Sequence, residues 1–321
     1  MNADEVLHQA VTAALRAPSI LNTQPWTWRV DQGVAELWAA RSRQLSTIDP
    51  DGRMLTLSCG VTLHHAITAL ATTGHAAEVT VFPEPGQPDL LARLVPAEGP
   101  EPTPADMRHY QSILIRHSDR RPFPNLQVPQ AALDNLRAAA ERVGAHLRIL
   151  RPDEVHTLAS AVELAEAVEI SDPAYRAELA AWTHREPVPG VGVPLSATPP
   201  PASRPVAVRE FDLARQPVAP VEAGDLAARY AMLFADGDSP TDWLAAGQSL
   251  GAALIAAVEN GLAVSLISDV IEVATTRARL RGLLAHLGYP MMVLRVGVSD
   301  EPHAPEHTGR QTLVEFFDGQ T

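Results

Sequence analysis

Ala17-Pro18-Ser19-Ile20-Leu21-Asn22-Thr23-Gln24-Pro25-Trp26 is the stretch on which the reading of this chain turns. It follows an amphipathic segment over 4–16, where Val6, Leu7, Ala10, Ala13, Ala14 and Ala17 recur at helical spacings. Pro18 ends that helix, because a proline disfavours helical backbone in the residue before it. Between Pro18 and Pro25 stand the hydroxyls of Ser19 and Thr23 and the amides of Asn22 and Gln24. Polar groups on a backbone fixed by prolines are what a planar heterocycle with several donors and acceptors requires.

Outward from this stretch, Trp26 to Ala39 alternates around Asp31-Gln32-Gly33 as a hairpin does. A helix over 57–73 ends at Gly74, a good C-terminal glycine. Strands are expected at 77–82 and 90–95, a helix at 104–117, another at 129–143, a strand at 147–150, and helices at 153–169 and 173–182. Beyond these, helices at 240–259 and 275–287 and extended segments at 263–267 and 291–296 complete the pattern. Nine prolines fall between Glu186 and Pro220 with no helical period. A long structureless segment inside a compact protein is usually a functional lid or a linker.

The second polar signature is Arg116-His117-Ser118-Asp119-Arg120-Arg121-Pro122-Phe123. Arginines at alternate positions of an extended turn project the same way, and can grip a phosphate bidentately or place a fixed charge beside a ring.

An internal repeat links the two ends of the chain. The segment from Cys59-Gly60-Val61 to Gly74 aligns without gaps on Ala246-Gly247-Gln248 to Gly261, so that Gly60 matches Gly247, Leu63 matches Leu250 and Ala66 matches Ala253. Two small-residue helices of this kind can pack closely about a pseudo-two-fold axis. Each is followed by a strand carrying an arginine, Arg93 in one case and Arg295 in the other.

Composition sets the outer bounds. The 321 residues carry a formal charge of −13, which argues against nucleic acid, a ligand that wants a basic footprint. One cysteine, Cys59, precludes an internal disulfide framework and fits a reducing, cytoplasmic compartment. Met1 to Glu5 does not open as a signal peptide does. The apolar run from Ala252 to Val258 falls far short of the roughly 20 residues of a membrane span.

Gly247-Gln248-Ser249-Leu250-Gly251 matches the hydrolase pattern G-x-S-x-G, which works only where a buried strand turns sharply into a helix. Here Trp243, Ala246, Leu250, Ala253 and Ala257 trace a helical stripe through the serine, so Ser249 reads as an ordinary helix residue. His303 and His307 lack a third metal ligand. His64 and His65 are adjacent and cannot share one helix face, so both read as packing residues. Gly190-Val191-Gly192 has no strand and helix around it to make a dinucleotide fingerprint.

Taken together, the two polar signatures resemble the nitroreductase family, whose pattern is R-x-S-x-R/K followed by A-P-S-x-x-N-x-Q-P-W. Here the order is reversed, with Arg116-x-Ser118-x-Arg120 after the Pro18-to-Trp26 motif. The proline-rich insertion and the reversed order look like the Acg-type subfamily of actinobacterial flavin-binding proteins. The resemblance covers nearly the whole chain. It implies an α+β fold of two fused, degenerate halves, an N-terminal half over 1–108 and a C-terminal half over 109–321 with a lid at 186–220, each with a mixed, mainly antiparallel sheet flanked by helices.

It further implies one FMN, held by Arg116, Ser118 and Arg120 together with Pro18, Ser19, Asn22 and Gln24. Leu266, Ile267 and Ser268 resemble the segment that approaches flavin N5. Gly309-Arg310-Gln311-Thr312-Leu313-Val314-Glu315-Phe316 resembles the basic C-terminal segment that binds the FMN phosphate, which makes Arg310 a phosphate ligand; Arg295 is a further candidate. The expected activity is NAD(P)H-dependent reduction of nitroaromatic or quinone acceptors, by a monomer or homodimer. The alternative is FMN binding or sequestration under the lid with little turnover.

Overall fold

The computed structural model describes residues 2–183, 190–194, 197, 202–211, 224–298 and 309–310. Helix α1 (Ala3–Ala14) opens with a capping box, in which Asn2 and Glu5 satisfy each other's backbone N–H. A hairpin, β1 (Trp26–Asp31) and β2 (Val34–Ala39), leads into helix α2 (Arg53–Ala71), then β3 (His75–Val81) and β4 (Leu90–Glu98). Helices α3 (Pro104–Ile115) and α4 (Gln130–Glu141) precede β5 (His146–Ile149), and α5 (Pro152–Ser171) and α6 (Pro173–Thr183) follow it. The chain then forms β6 (Arg229–Ala235), α7 (Pro240–Glu259), β7 (Leu262–Ile267), α8 (Asp269–Glu272), α9 (Ala274–Leu283) and β8 (Tyr289–Val298).

Two four-stranded sheets result, ordered β1-β2-β4-β3 and β5-β6-β8-β7. Replacing each strand of the first by the one four places later gives the second, so the duplication seen in two helices extends to whole sheets. Strand pairings within both are antiparallel. Ser118 adds a parallel bridge to Val264 at the β7 edge, and the Asp119 N–H donates to the Val264 carbonyl at 2.9 Å. The α+β expectation of mixed, mainly antiparallel sheets therefore holds.

Helices α2 and α7 meet where their glycines cross. A Cβ on Gly60 would run into the Leu244 carbonyl and reach the Gly247 Cα at 2.8 Å; one on Gly247 would run into the Leu57 carbonyl and reach the Gly60 Cα at 2.8 Å. Leu57 and Leu244 are themselves repeat partners, so the contact is self-complementary, like an isologous interface within one chain. The repeat also holds at the helix ends. The Gly74 N–H donates to Ala71 and the Gly261 N–H to Val258, both glycines in the left-handed region at φ +78° and +66°. By length and composition α2 could cross a membrane, yet most of it is buried inside the protein.

Two expectations are corrected here, and the reading of Ser249 as an ordinary helix residue holds. The sequence reading assigned nothing to 229–235, yet β6 is an inner strand of the second sheet; buried on both faces, it shows an apolar run without alternation. The helix expected at 275–287 stops at Leu283, because Ala285 and His286 turn left-handed at φ 50° and 61°. Ser249 lies inside unbroken α7, fully buried, and its Oγ accepts the Ala145 N–H at 3.0 Å, so it sits on no strand-to-helix elbow. The division at 108 falls within α3, between the two sheets. His303, His307 and 311–316 lie outside the described residues, as does most of 186–220.

Candidate functional site

The Pro18-to-Trp26 motif forms a tight, strained turn. Leu21, Asn22 and Gln24 all have positive φ, at 42°, 53° and 49°, a conformation that costs an L-residue roughly 1–2 kcal/mol. Strain of this kind persists only where surroundings over-determine it, and it concentrates at functional sites. The surroundings here are specific. Ser19 Oγ accepts the Gln24 N–H at 2.8 Å, Ser58 Oγ accepts the Ile20 N–H at 3.2 Å, and Arg43 donates to the Gln24 carbonyl at 3.0 Å.

A cavity opens between this turn and the second sheet. Seven of the eleven residues expected at the site line it: Pro18 and Ser19 from the first half, Ser118 and Arg120 from the arginine turn, and Leu266, Ile267 and Ser268 from the end of β7. The parallel bridge of Ser118 to Val264 is what brings the arginine turn beside β7. In an extended segment alternate residues share a face, so Ser118 and Arg120 both reach the cavity while the Asp119 carboxylate binds Arg121. That pairing holds it below the usual carboxylate range although burial pushes upward.

Arg295 has a different task from the one expected. It is fully buried in an ion pair with Asp225, stacks 4.0 Å from the Phe123 ring centroid, and donates to the carbonyls of Asp119 at 2.7 Å and Arg121 at 3.0 Å. It therefore fixes the arginine turn from behind, with its charge already neutralised. A strand-end arginine looks the same in sequence whether it faces solvent, ligand or core.

The remaining four residues gather at one place beyond the cavity lining. Arg116, at the end of α3, donates its guanidinium N–H to the Arg16 carbonyl at 3.4 Å, its one side-chain hydrogen bond among the described residues. Arg310 donates to the same carbonyl at 3.3 Å and to Asn22 Oδ1 at 3.1 Å. Burial and then Arg310 push the Arg116 guanidinium down to about 9, and burial and then Arg16 push Arg310 to about 10. Both stay cationic at neutral pH. Burying a cation without a carboxylate is costly, and Arg116 has none among the described residues. The arrangement suits an anion with several oxygens.

Asn22 and Gln24 are buried beneath this cluster. The Asn22 amide donates to the carbonyls of Gly190, Gly192 and Gly309 at 3.3, 3.0 and 3.2 Å, and the Gln24 amide donates to Gly190. In the structure their side chains tie the 190–192 and 309–310 segments to the motif.

Within the segment expected as a lid, sequence reasoning named no individual residue of 202–211 as a lining residue. Val208, Arg209 and Phe211 line the same cavity. Arg120 lies 4.9 Å from the Phe211 ring centroid, and Arg204 donates to the Arg120 carbonyl at 2.9 Å. Arg209 Nη2 donates to Glu169 at 3.2 Å on α5 and to Glu272 at 2.6 Å on α8. Burial raises Glu169 to about 7 despite Arg209, and Asp269, also in the wall, to about 6. No hydrophobic period marks 202–211, so only the placement of two distant glutamates gives its position.

No protein-family model matches the chain. A protein of Mycobacterium tuberculosis named "Putative NAD(P)H nitroreductase" is 37% identical over 98% of this chain and 91% of its own length. The protein named acg in the same organism, which carries the same description, is 28% identical over 98% of this chain and 95% of its own. Among solved structures, the FMN- and NADPH-dependent nitroreductase NfnB of a Sphigopyxis strain aligns over 66% of this chain and 99% of its own at 18% identity, with a TM-score of 0.43. With more than a third of its residues shared end to end with the first of these relatives, this chain belongs to the nitroreductase family, and it has Acg-type relatives within it.

Proposed function

We propose that this chain is an FMN-binding oxidoreductase of nitroreductase type, which passes reducing equivalents from NAD(P)H to nitroaromatic or quinone acceptors. The observation that carries the reading is the convergence of one motif from each half on a single cavity, with a buried arginine beyond its lining that has no carboxylate partner among the described residues. FMN fits both parts: its ring suits a wall of aliphatic side chains, serines and one arginine, and its phosphate suits Arg116 and Arg310. FMN supplies the hydride chemistry; the protein binds, orients and tunes it. In this reading Pro18 and Ser19 cover one edge of the ring, and the segment from Leu266 to Ser268 meets another. Arg120, pushed down to about 10 by burial and then by Arg209 and Arg295, is still a cation and favours the more negative state of the ring.

The fused-halves reading gives one complete site per chain. Titrating apoprotein with FMN and following flavin fluorescence is expected to saturate at one FMN per chain, and saturation at two would overturn the single-site reading. Steady-state NAD(P)H oxidation with a quinone acceptor then tests turnover. A second reading, FMN sequestration, is favoured by the strap of Val208, Arg209 and Phe211 in the cavity wall. It predicts bound FMN and no acceptor-dependent NAD(P)H oxidation.

A further inference from the structure

His65 sits on α2, three residues after Thr62, so the two share a helix face. Thr62 Oγ1 donates to the Ala14 carbonyl at 2.9 Å, so that face looks onto the C-terminal end of α1. The same end presents the Arg16 carbonyl that accepts from Arg116 and from Arg310. The His65 side chain is fully buried. Its Nδ1 lies 2.8 Å from the Val61 carbonyl, which can only accept, so Nδ1 carries the hydrogen and Nε2 presents a lone pair. That Nε2 is buried and has no hydrogen-bond partner among the described residues. A buried polar atom left unpartnered among arginines calls for an explanation.

We infer that His65 is the proton-accepting member of the phosphate pocket: a phosphate monoester bound by Arg116 and Arg310 also meets His65 Nε2, and one proton enters the site with it. The inference rests on the proposal that Arg116 and Arg310 hold a phosphate. Its chemistry is simple. A phosphate dianion brings only lone pairs, and these would face the Nε2 lone pair. A single proton, taken from solvent and held between Nε2 and a phosphate oxygen, turns that repulsion into a charge-assisted hydrogen bond. No bond other than the proton's changes.

The charged groups that act on His65 are Arg116 at the end of α3 and Arg310 from the C-terminal segment, with His64 beside it on its own helix; Arg16 acts in turn on Arg310. Burial, then Arg116, then His64 hold His65 well below its usual pKa, with the Val61 carbonyl pulling the other way. Its imidazole is therefore neutral at physiological pH before the anion arrives. A phosphate monoester loses its second proton near pH ~6, so at pH 8 neither partner brings a proton and one must come from solvent. The repeat partner of His65 is Ala252, so the second half has no such group.

Calorimetry of FMN binding to the full-length apoprotein at pH 8, in two phosphate-free buffers of different ionisation enthalpy, counts the protons directly. The expected result is about one proton taken up per FMN, none on binding riboflavin, which has no phosphate, and none for FMN with His65→Gln. Uptake of one proton also makes FMN affinity fall about tenfold per pH unit above neutrality, a slope absent in His65→Gln. Tight FMN binding with no uptake, or with uptake kept in His65→Gln, overturns the role of His65 while leaving the FMN reading intact. Failure to bind FMN or riboflavin overturns both. If His65→Gln does not fold, histidine-¹⁵N NMR of the wild type decides. One imidazole whose Nε2 gains a proton on addition of FMN, and not riboflavin, supports the inference; unchanged imidazoles overturn it.

Discussion

At the edge of the second sheet, β7 receives Ser118 in a parallel bridge, and the turn that delivers Ser118 also delivers Arg116 and Arg120. At the equivalent edge of the first sheet, β3 pairs only with β4 among the described residues. The arginine pattern occurs once in the sequence, at Arg116 to Arg120, and after α4 there is no second copy of the proline–tryptophan motif. Sheet order, helix crossing and helix-ending glycines are the same in both halves, whereas each of the two polar motifs occurs once in the sequence. Thr62 and Ser249, repeat partners, both use their hydroxyls to fasten a neighbouring segment, while His65 and Ala252 have diverged. Symmetry has persisted where each half needs the other for packing and has lapsed where only a ligand would have required it.

The largest effect is expected at the axis itself. Gly247→Ala or Gly60→Ala places a methyl against a backbone carbonyl of the facing helix, which cannot rotate away. Overpacking typically costs about 1–3 kcal/mol and more where backbone must move, so we expect about 3 kcal/mol or more of lost stability in chemical denaturation. Equal losses for the two substitutions would sharpen the symmetry; a neutral result at either would break it.

Next in size is the asymmetry of the arginines. Arg116→Ala is expected to weaken FMN binding by roughly ten- to a hundredfold, the worth of one charge-assisted hydrogen bond. Arg93→Ala, in the first half, where Arg93 pairs with Glu36 and Glu84, should leave flavin affinity unchanged. A loss at Arg93 comparable to that at Arg116 would mean that the first half also holds a flavin.

A smaller effect concerns the acidic cluster of Glu169, Asp269 and Glu272 in the second half. Burial raises Glu169 from 4.5 to about 7. A carboxyl that holds its proton more tightly when folded costs no stability below the unfolded pKa. The cost grows as pH rises and is complete above the folded value. Glu169→Gln, which mimics the protonated form, should therefore gain on the wild type in thermal stability between about pH 4.5 and 7. An advantage that stayed flat or shrank over that range would remove the strain assigned to the Arg209 cluster.

The smallest effect is a control for the first. Gly282, on exposed α9, has open space where a Cβ would go. Gly282→Ala should stabilise by roughly 0.5–1 kcal/mol through helix propensity alone. A loss there would show that glycine replacement, rather than the axis, accounts for the losses at Gly60 and Gly247.

The sequence by itself determined the local elements, the repeat and the two motifs, because each is written in neighbouring residues. Periodicity marks a helix, a proline marks its end, and alternate arginines mark a shared face. From the two motifs came Pro18, Ser19, Ser118 and Arg120, and from the family resemblance the Leu266-to-Ser268 segment, all of which line one cavity. Tertiary structure alone decided what a polar residue faces. Arg295 and Arg116 are both buried arginines, but Asp225 neutralises one, and the other meets only a backbone carbonyl among the described residues. Arg209 acquires its place from glutamates 40 and 63 positions away. An unpartnered nitrogen on His65 likewise exists only once α1, α3 and the C-terminal segment close around it. Burial and charge pairing are sums over the whole fold, and no local window of sequence contains them.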